Sequence, residues 1–303
     1  MLDLAARSEV VELPAGEMEF ALRGSGKPLL VFHSAPGGYD QALALGGFLE
    51  EEGFQILAPS RPGYLRTPLS TGPTPQKQAE ASAELLDHLE IPKVAVVGFG
   101  WGGSTAVEFA RRFPDRTSAL VLVSAATSET PPAPGIPLPE TVAEKIGGDL
   151  GSWRFVKNAE RKPAQMLEDA FELTSTGNAE ARSAWRDFVL QDPAGLERFH
   201  EIILSLAPMA SREAGLENDL QQPLASFRGL TPPVLLVQGA MDKAVPPAAG
   251  EPERFFPVEL FRLPGEGHLV LLGPGFPAAA KRVLDFLNLH HTVENPEDTT
   301  DGE

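Results

Sequence analysis

Apolar positions along the chain fall into two kinds of segment. Short runs of strand length lie at Glu9 to Leu13, Met18 to Leu22 and Phe54 to Ala58, and Pro28 to His33 (PLLVFH) is unbroken. Between them, Asp40 to Glu52 has helical spacing through Leu45, Phe48 and Leu49. Thr74-Pro75 has the form of an N-cap followed by proline at the first helical position, with Ala79, Ala83, Leu86 and Leu89 then sharing one face. Val94 to Gly98 (VAVVG) predicts a strand, Trp101 to Phe113 a helix, and Ala119 to Val123 (ALVLV) another strand. Strand alternating with helix implies an α/β fold: a mostly parallel sheet flanked by helices, with right-handed crossovers.

The alternation stops after Ser124. Pro131 to Pro139 (PPAPGIPLP) predicts a rigid, extended exit, and from about 140 to 228 the apolar residues keep helical spacing, as in Leu196, Phe199, Ile203 and Leu206 after Asp192-Pro193. Strand patterns resume at Val234 to Val237 and Val258 to Leu263, and Phe276 to Leu289 predicts a closing amphipathic helix. The expected division is a core of residues 1–127 and 231–291, a helical insertion over 128–230 after the sixth strand, and a disordered tail over 292–303. Trp153, Phe155, Trp185 and Phe188 are expected to form the core of the insertion.

Charge narrows the partners. The 303 residues carry 25 Lys and Arg against 42 Asp and Glu, a formal charge of −17, which disfavours nucleic acid and anionic membrane surfaces and leaves a small-molecule substrate. Five of the acids fall between Glu294 and Glu303 with no base among them, the pattern of a solvated tail. Cysteine is absent, which excludes a thiol nucleophile and Cys-ligated zinc. No signal-like or membrane-length apolar run occurs, so a cytoplasmic location is expected.

Unusual residues cluster at strand ends, where open α/β sheets bind ligands. They are His33-Ser34-Ala35-Pro36-Gly37-Gly38, Gly98-Phe99-Gly100-Trp101-Gly102-Gly103, Gly239-Ala-Met-Asp242 and Gly265-Glu-Gly-His268. The second also fits G-x-G-x-x-G, but the next strand ends in Ser124-Ala125-Ala126 without the acid that would bind a ribose, so no dinucleotide is expected. No metal and no other cofactor is expected either. His88, His200, His290 and His291 lack such a context and are expected at the surface or at helix ends.

In these residues, from about 9 to 290, the chain resembles the α/β-hydrolase superfamily. His33 to Gly38 resembles its oxyanion loop, Ser60-Arg-Pro-Gly-Tyr64-Leu-Arg-Thr67 the loop after the fourth strand, Gly98 to Gly103 the nucleophile elbow, Asp242 the acid loop and His268 the histidine loop, with the helical insertion as a cap. The resemblance implies oxyanion donors in the backbone N–H groups of Ala35 and Trp101. It also implies an Asp242/His268 acid–base pair, and a substrate site touched by His33, Ser34 and Trp101. One position departs from the pattern: where G-x-S-x-G has serine, this chain has Gly100. Ser104 stands four residues on, inside the helix, and Ser34 is accounted for as a turn serine. Three readings follow. The chain is a hydrolase of a small uncharged ester, lactone or amide, impaired by loss of its serine or using water under His268; or a cofactor-independent lyase or cyclase; or a ligand-binding pseudoenzyme.

Overall fold

The structure is a computed structural model that describes residues 4–133, 148–247, 256 and 258–291. The predicted proline-rich exit beyond residue 133 and the acidic tail over 292–303 lie outside the described residues.

Eight strands form one sheet: β1 (Glu9–Leu13), β2 (Gly16–Arg23), β3 (Lys27–Phe32), β4 (Phe54–Pro59), β5 (Val94–Phe99), β6 (Thr117–Val123), β7 (Val234–Gly239) and β8 (Val258–Leu263). Their order is β1-β2-β4-β3-β5-β6-β7-β8. The pairs β1–β2 and β2–β4 are antiparallel and all others parallel. From β3 the chain turns first to β4 on one side, then to β5 on the other. The strand order therefore reverses between β3 and β5, and a crevice opens beyond their carboxyl ends.

Successive side chains of a strand point to opposite faces, and here both faces are buried. Leu30 and Phe32 join one apolar cluster with Val94 and Val96, while Leu29 and Val31 join the other with Ala95 and Val97. That is why PLLVFH and VAVVG are continuous apolar runs. The faces are covered by α1 (Tyr39–Glu51), α2 (Pro75–His88), α3 (Gly102–Arg112) and the last helix, Phe276–His290. The Thr74 hydroxyl caps α2, accepting the Lys77 N–H at 3.3 Å.

Between β6 and β7 lie α4 (Gly148–Arg161), α5 (Pro163–Thr174), α6 (Ala179–Gln191), α7 (Pro193–Leu204) and α8 (Glu213–Asp219), after which the last helix is α9. Asn178 caps α6 and Asp192 caps α7 with side-chain oxygens. A third apolar cluster gathers Phe171, Trp185 and Phe199 with Leu272 of the core, and Phe155 and Phe188 pack against it. Trp153 departs from expectation: it is 55% exposed and takes no part in that cluster. His291 stands at a helix end as expected, but is buried there, at the end of α9, with its Nδ1 2.7 Å from the Ser118 hydroxyl. Among the described residues no helix is long and apolar enough to cross a membrane.

Candidate active site

The Gly-rich turn stands at the end of β5. Gly100 has φ +48°, in the left-handed region that favours glycine. Its N–H donates to the Val123 carbonyl at 3.1 Å, and its own carbonyl accepts from Gly103 and Ala126 N–H at 3.1 and 2.9 Å. A Cβ on Gly102 would meet the Phe32 carbonyl oxygen at 2.7 Å and that of His33 closer still, so α3 starts under the end of β3 only because residue 102 has no side chain.

The neighbouring loop follows β3. His33 is wholly buried: its Nδ1 lies 2.6 Å from the Ser34 carbonyl, its Nε2 accepts the Arg61 N–H at 2.9 Å, and the ring meets Tyr64 edge-on at 4.8 Å. With Nε2 accepting, the proton stays on Nδ1 and donates to Ser34. Burial, then the charges of Arg61 and Arg212, hold its pKa well below the ordinary value, so this imidazole is neutral. The expectation that His33 touches substrate is thereby corrected: both ring nitrogens are engaged and the residue does not line the cavity. Ser34 does line it, and its Oγ accepts the Trp101 N–H at 3.3 Å. One of the two backbone donors expected for an oxyanion thus meets a side-chain hydroxyl instead.

Asp242 and His268 come together across the ends of β7 and β8. Asp242 Oδ1 accepts the Ala244 and Val245 N–H groups at 2.9 and 2.8 Å, which leaves Oδ2 aimed at His268 Nδ1, 2.9 Å away. Burial disfavours the imidazolium, but the adjacent carboxylate outweighs it by charge and hydrogen bond, so the His268 pKa is raised above 6.5. The His268 side chain keeps 13% exposure and lines the same cavity as Gly100, Trp101, Ser34 and Ala35.

That cavity, about 210 Å³, lies between the strand ends and the helical insertion, whose Phe155, Met166, Leu173, Phe199 and Ile203 form its far wall. No Lys or Arg lines it among the described residues, and its one carboxylate, Asp169, is exposed. No cluster of three or more His, Asp or Glu that could hold a metal occurs among the described residues.

Three contributors to the site were not singled out from sequence. The Ser124 hydroxyl donates to the His268 carbonyl at 2.8 Å, and the Thr174 carbonyl accepts the N–H of both His268 and Lys243 at 3.1 Å, so the insertion itself fixes the acid and histidine loops. Ser124 had one visible signal, a polar residue directly after the apolar strand β6. Glu266 is the third. It is buried beside the Trp185 indole with the Gly275 N–H on Oε1, and burial pushes its carboxyl up to about 7 although both donors favour the charged form.

Comparison with known proteins bears on the fold. The family described as alpha/beta hydrolase fold matches residues 27–273. The uncharacterized hydrolase YcgS of Bacillus subtilis (strain 168) is 37% identical over 125 residues, which is 41% of this chain and 43% of that protein, so less than half of this relative's length is spanned. A 2-hydroxy-6-oxononadienedioate/2-hydroxy-6-oxononatrienedioate hydrolase of Dechloromonas aromatica is 26% identical over 81% of this chain and 83% of its own. Among solved structures, an alpha/beta hydrolase fold protein from Nakamurella multipartita superposes with TM-score 0.81 at 30% identity, covering 92% of this chain and 98% of that one.

Proposed function

Since the chain belongs to the α/β-hydrolase fold family, we propose that it hydrolyses a small, uncharged ester, lactone or amide, with Asp242 and His268 as the acid–base pair. The observation that carries this reading is the cavity. Among the described residues it has mainly apolar walls and no Lys or Arg, and it meets a histidine whose base is oriented by a buried carboxylate. A cavity without a cation has nothing to offset the desolvation of an anionic substrate. The helices over 148–219 act as the cap that excludes water from it.

The chemistry follows from the hydrogen bonds. With Nδ1–H donating to Asp242, the Nε2 lone pair of His268 is free to take a proton from an attacking hydroxyl and return it to the leaving group. The backbone N–H of Ala35 is the donor left for the oxyanion, such a donor being worth about 3 kcal/mol in hydrolases, since that of Trp101 is held by Ser34 Oγ. Gly100 has no atom to acylate, so the attacking oxygen comes from elsewhere in the site.

The test is hydrolysis of p-nitrophenyl butyrate. His268→Ala is expected to lower kcat/KM by ~10³-fold or more. His268 must be neutral to accept a proton and its pKa is raised, so activity is expected to fall as pH drops through a midpoint above about 6.5, and that midpoint should move down in Asp242→Asn. Equal rates in the parent and His268→Ala would defeat the proposal. The missing side chain at Gly100 favours a second reading, in which the same pair moves protons in a lyase or cyclase reaction; a parent protein inert toward esters would favour it.

A further inference from the structure

We propose that Ser34 supplies the nucleophilic oxygen that residue 100 lacks. The inference rests on the hydrolase reading above and names the atom that reading leaves open. Its first support is steric. A Cβ built on Gly100 would strike Ser34 Oγ, closer than real Cβ atoms approach a neighbour, and would lie 2.9 Å from Ser34 Cβ. The Ser34 side chain therefore fills the room into which an elbow side chain projects. A hydroxyl thus stands in the crevice between β3 and β5, delivered from the β3 side.

The second support is electronic. Ser34 Oγ accepts the Trp101 N–H, and a hydrogen bond donated to an oxygen favours its charged form, here the developing alkoxide. The third is the inventory of hydroxyls. Ser104 donates to the Ala126 carbonyl and accepts from Ala225 N–H, and Ser124 commits its proton to the His268 carbonyl. Ser34 is the cavity-lining serine whose own proton has no acceptor among the described residues. No hydrogen bond joins Ser34 directly to His268, and contacts of this kind are often long until substrate is bound. The buried His33 then has a use: held by Arg61 and Tyr64, it grips the Ser34 carbonyl and fixes the backbone that presents the hydroxyl.

In the reaction, the Ser34 O–H proton passes to His268 Nε2 as Oγ bonds to the substrate carbonyl carbon. The tetrahedral adduct collapses by breaking the bond to the leaving alkoxide or amide nitrogen, which takes the proton from His268. Water then attacks the Ser34 ester, gives a proton to His268 and releases the acid, and the proton returns to Oγ.

A fluorophosphonate probe reads this out without knowledge of the natural substrate. Intact protein is expected to gain one phosphonyl group, mapped by peptide mass spectrometry to Ser34, with fluoride released, and Ser34→Ala should gain none. Hydrolysis of p-nitrophenyl butyrate by folded Ser34→Ala should fall ~10³-fold or more. An unlabelled parent, a label on another residue, or undiminished hydrolysis by Ser34→Ala would each overturn the assignment. If hydrolysis survives Ser34→Ala but not His268→Ala, the hydrolase reading stands with water as direct nucleophile. A label on Ser34 in a protein that cleaves no ester supports the assignment of Ser34 and removes the hydrolase reading. Mapping the label on the unaltered chain needs no variant to fold.

Discussion

Restoring serine at position 100 meets two obstacles. The residue sits at φ +48°, where a side chain costs ~1–3 kcal/mol, and its Cβ would collide with Ser34 Oγ. Gly100→Ser is therefore expected to lower the melting temperature, with Gly100→Ala lowering it similarly because the collision involves Cβ. The pair Ser34→Gly/Gly100→Ser removes the collision and should regain part of the loss. In that double variant the fluorophosphonate label should move from residue 34 to residue 100. A Gly100→Ser protein as stable as its parent would mean that Ser34 swings aside freely, which would undo the steric exclusion. The two positions have to be read together. From sequence, Ser34 looked like a turn serine because nothing local says that a loop after β3 and a turn after β5 converge on one small volume.

At the scale of elements, what was readable followed from local periodicity. PLLVFH, VAVVG and ALVLV are strands because both faces of a parallel sheet are apolar, and Thr74-Pro75 and Asp192-Pro193 open helices through their own side chains. Asp242 and His268 were visible because they follow strand patterns directly. Burial imposed from far along the chain was not visible. Gly265-Glu-Gly-His268 has the composition of a solvated loop, yet Glu266 is buried beside Trp185 of α6, and that burial lifts its carboxyl to about 7. Its folded-state pKa is above the usual 4.5, so the protonated form favours folding below 4.5, and this contribution is lost as pH rises toward 7. Above that, the buried charge costs up to about 3 kcal/mol. Glu266→Gln should accordingly raise the melting temperature relative to the parent more at about pH 8 than at about pH 5. An equal difference at both pH values would show that Glu266 ionises in the fold at no cost.

For the whole molecule, two ion pairs of opposite sense among the described residues anchor the insertion to the core, one buried on both sides and one with a partly exposed carboxylate. Arg61, in the core loop after β4, reaches Asp219 of α8 with two bonds of 2.8 and 2.6 Å, and the Tyr64 hydroxyl adds a third at 2.6 Å. Arg212, fully buried in the insertion, reaches Asp40 of α1 with bonds of 3.1 and 2.7 Å. Arg61 also holds His33, through its N–H and through its Nε on the His33 carbonyl, so the clamp and the loop that presents Ser34 share one residue. Buried pairs of this kind gain little over an apolar replacement, but cutting one partner strands a charge. Asp219→Ala should therefore destabilise by ~3–5 kcal/mol in urea unfolding, whereas the double variant Arg61→Met/Asp219→Leu should lose less than Asp219→Ala alone. Esterase activity should report the same coupling differently. The double variant lacks the Arg61 Nε bond to His33, so it should be slower than its stability implies, with kcat reduced more than KM is raised. A cost for Asp219→Ala below ~1 kcal/mol, the range of exposed pairs, would mean that water reaches Arg61 and that the insertion is not clamped there.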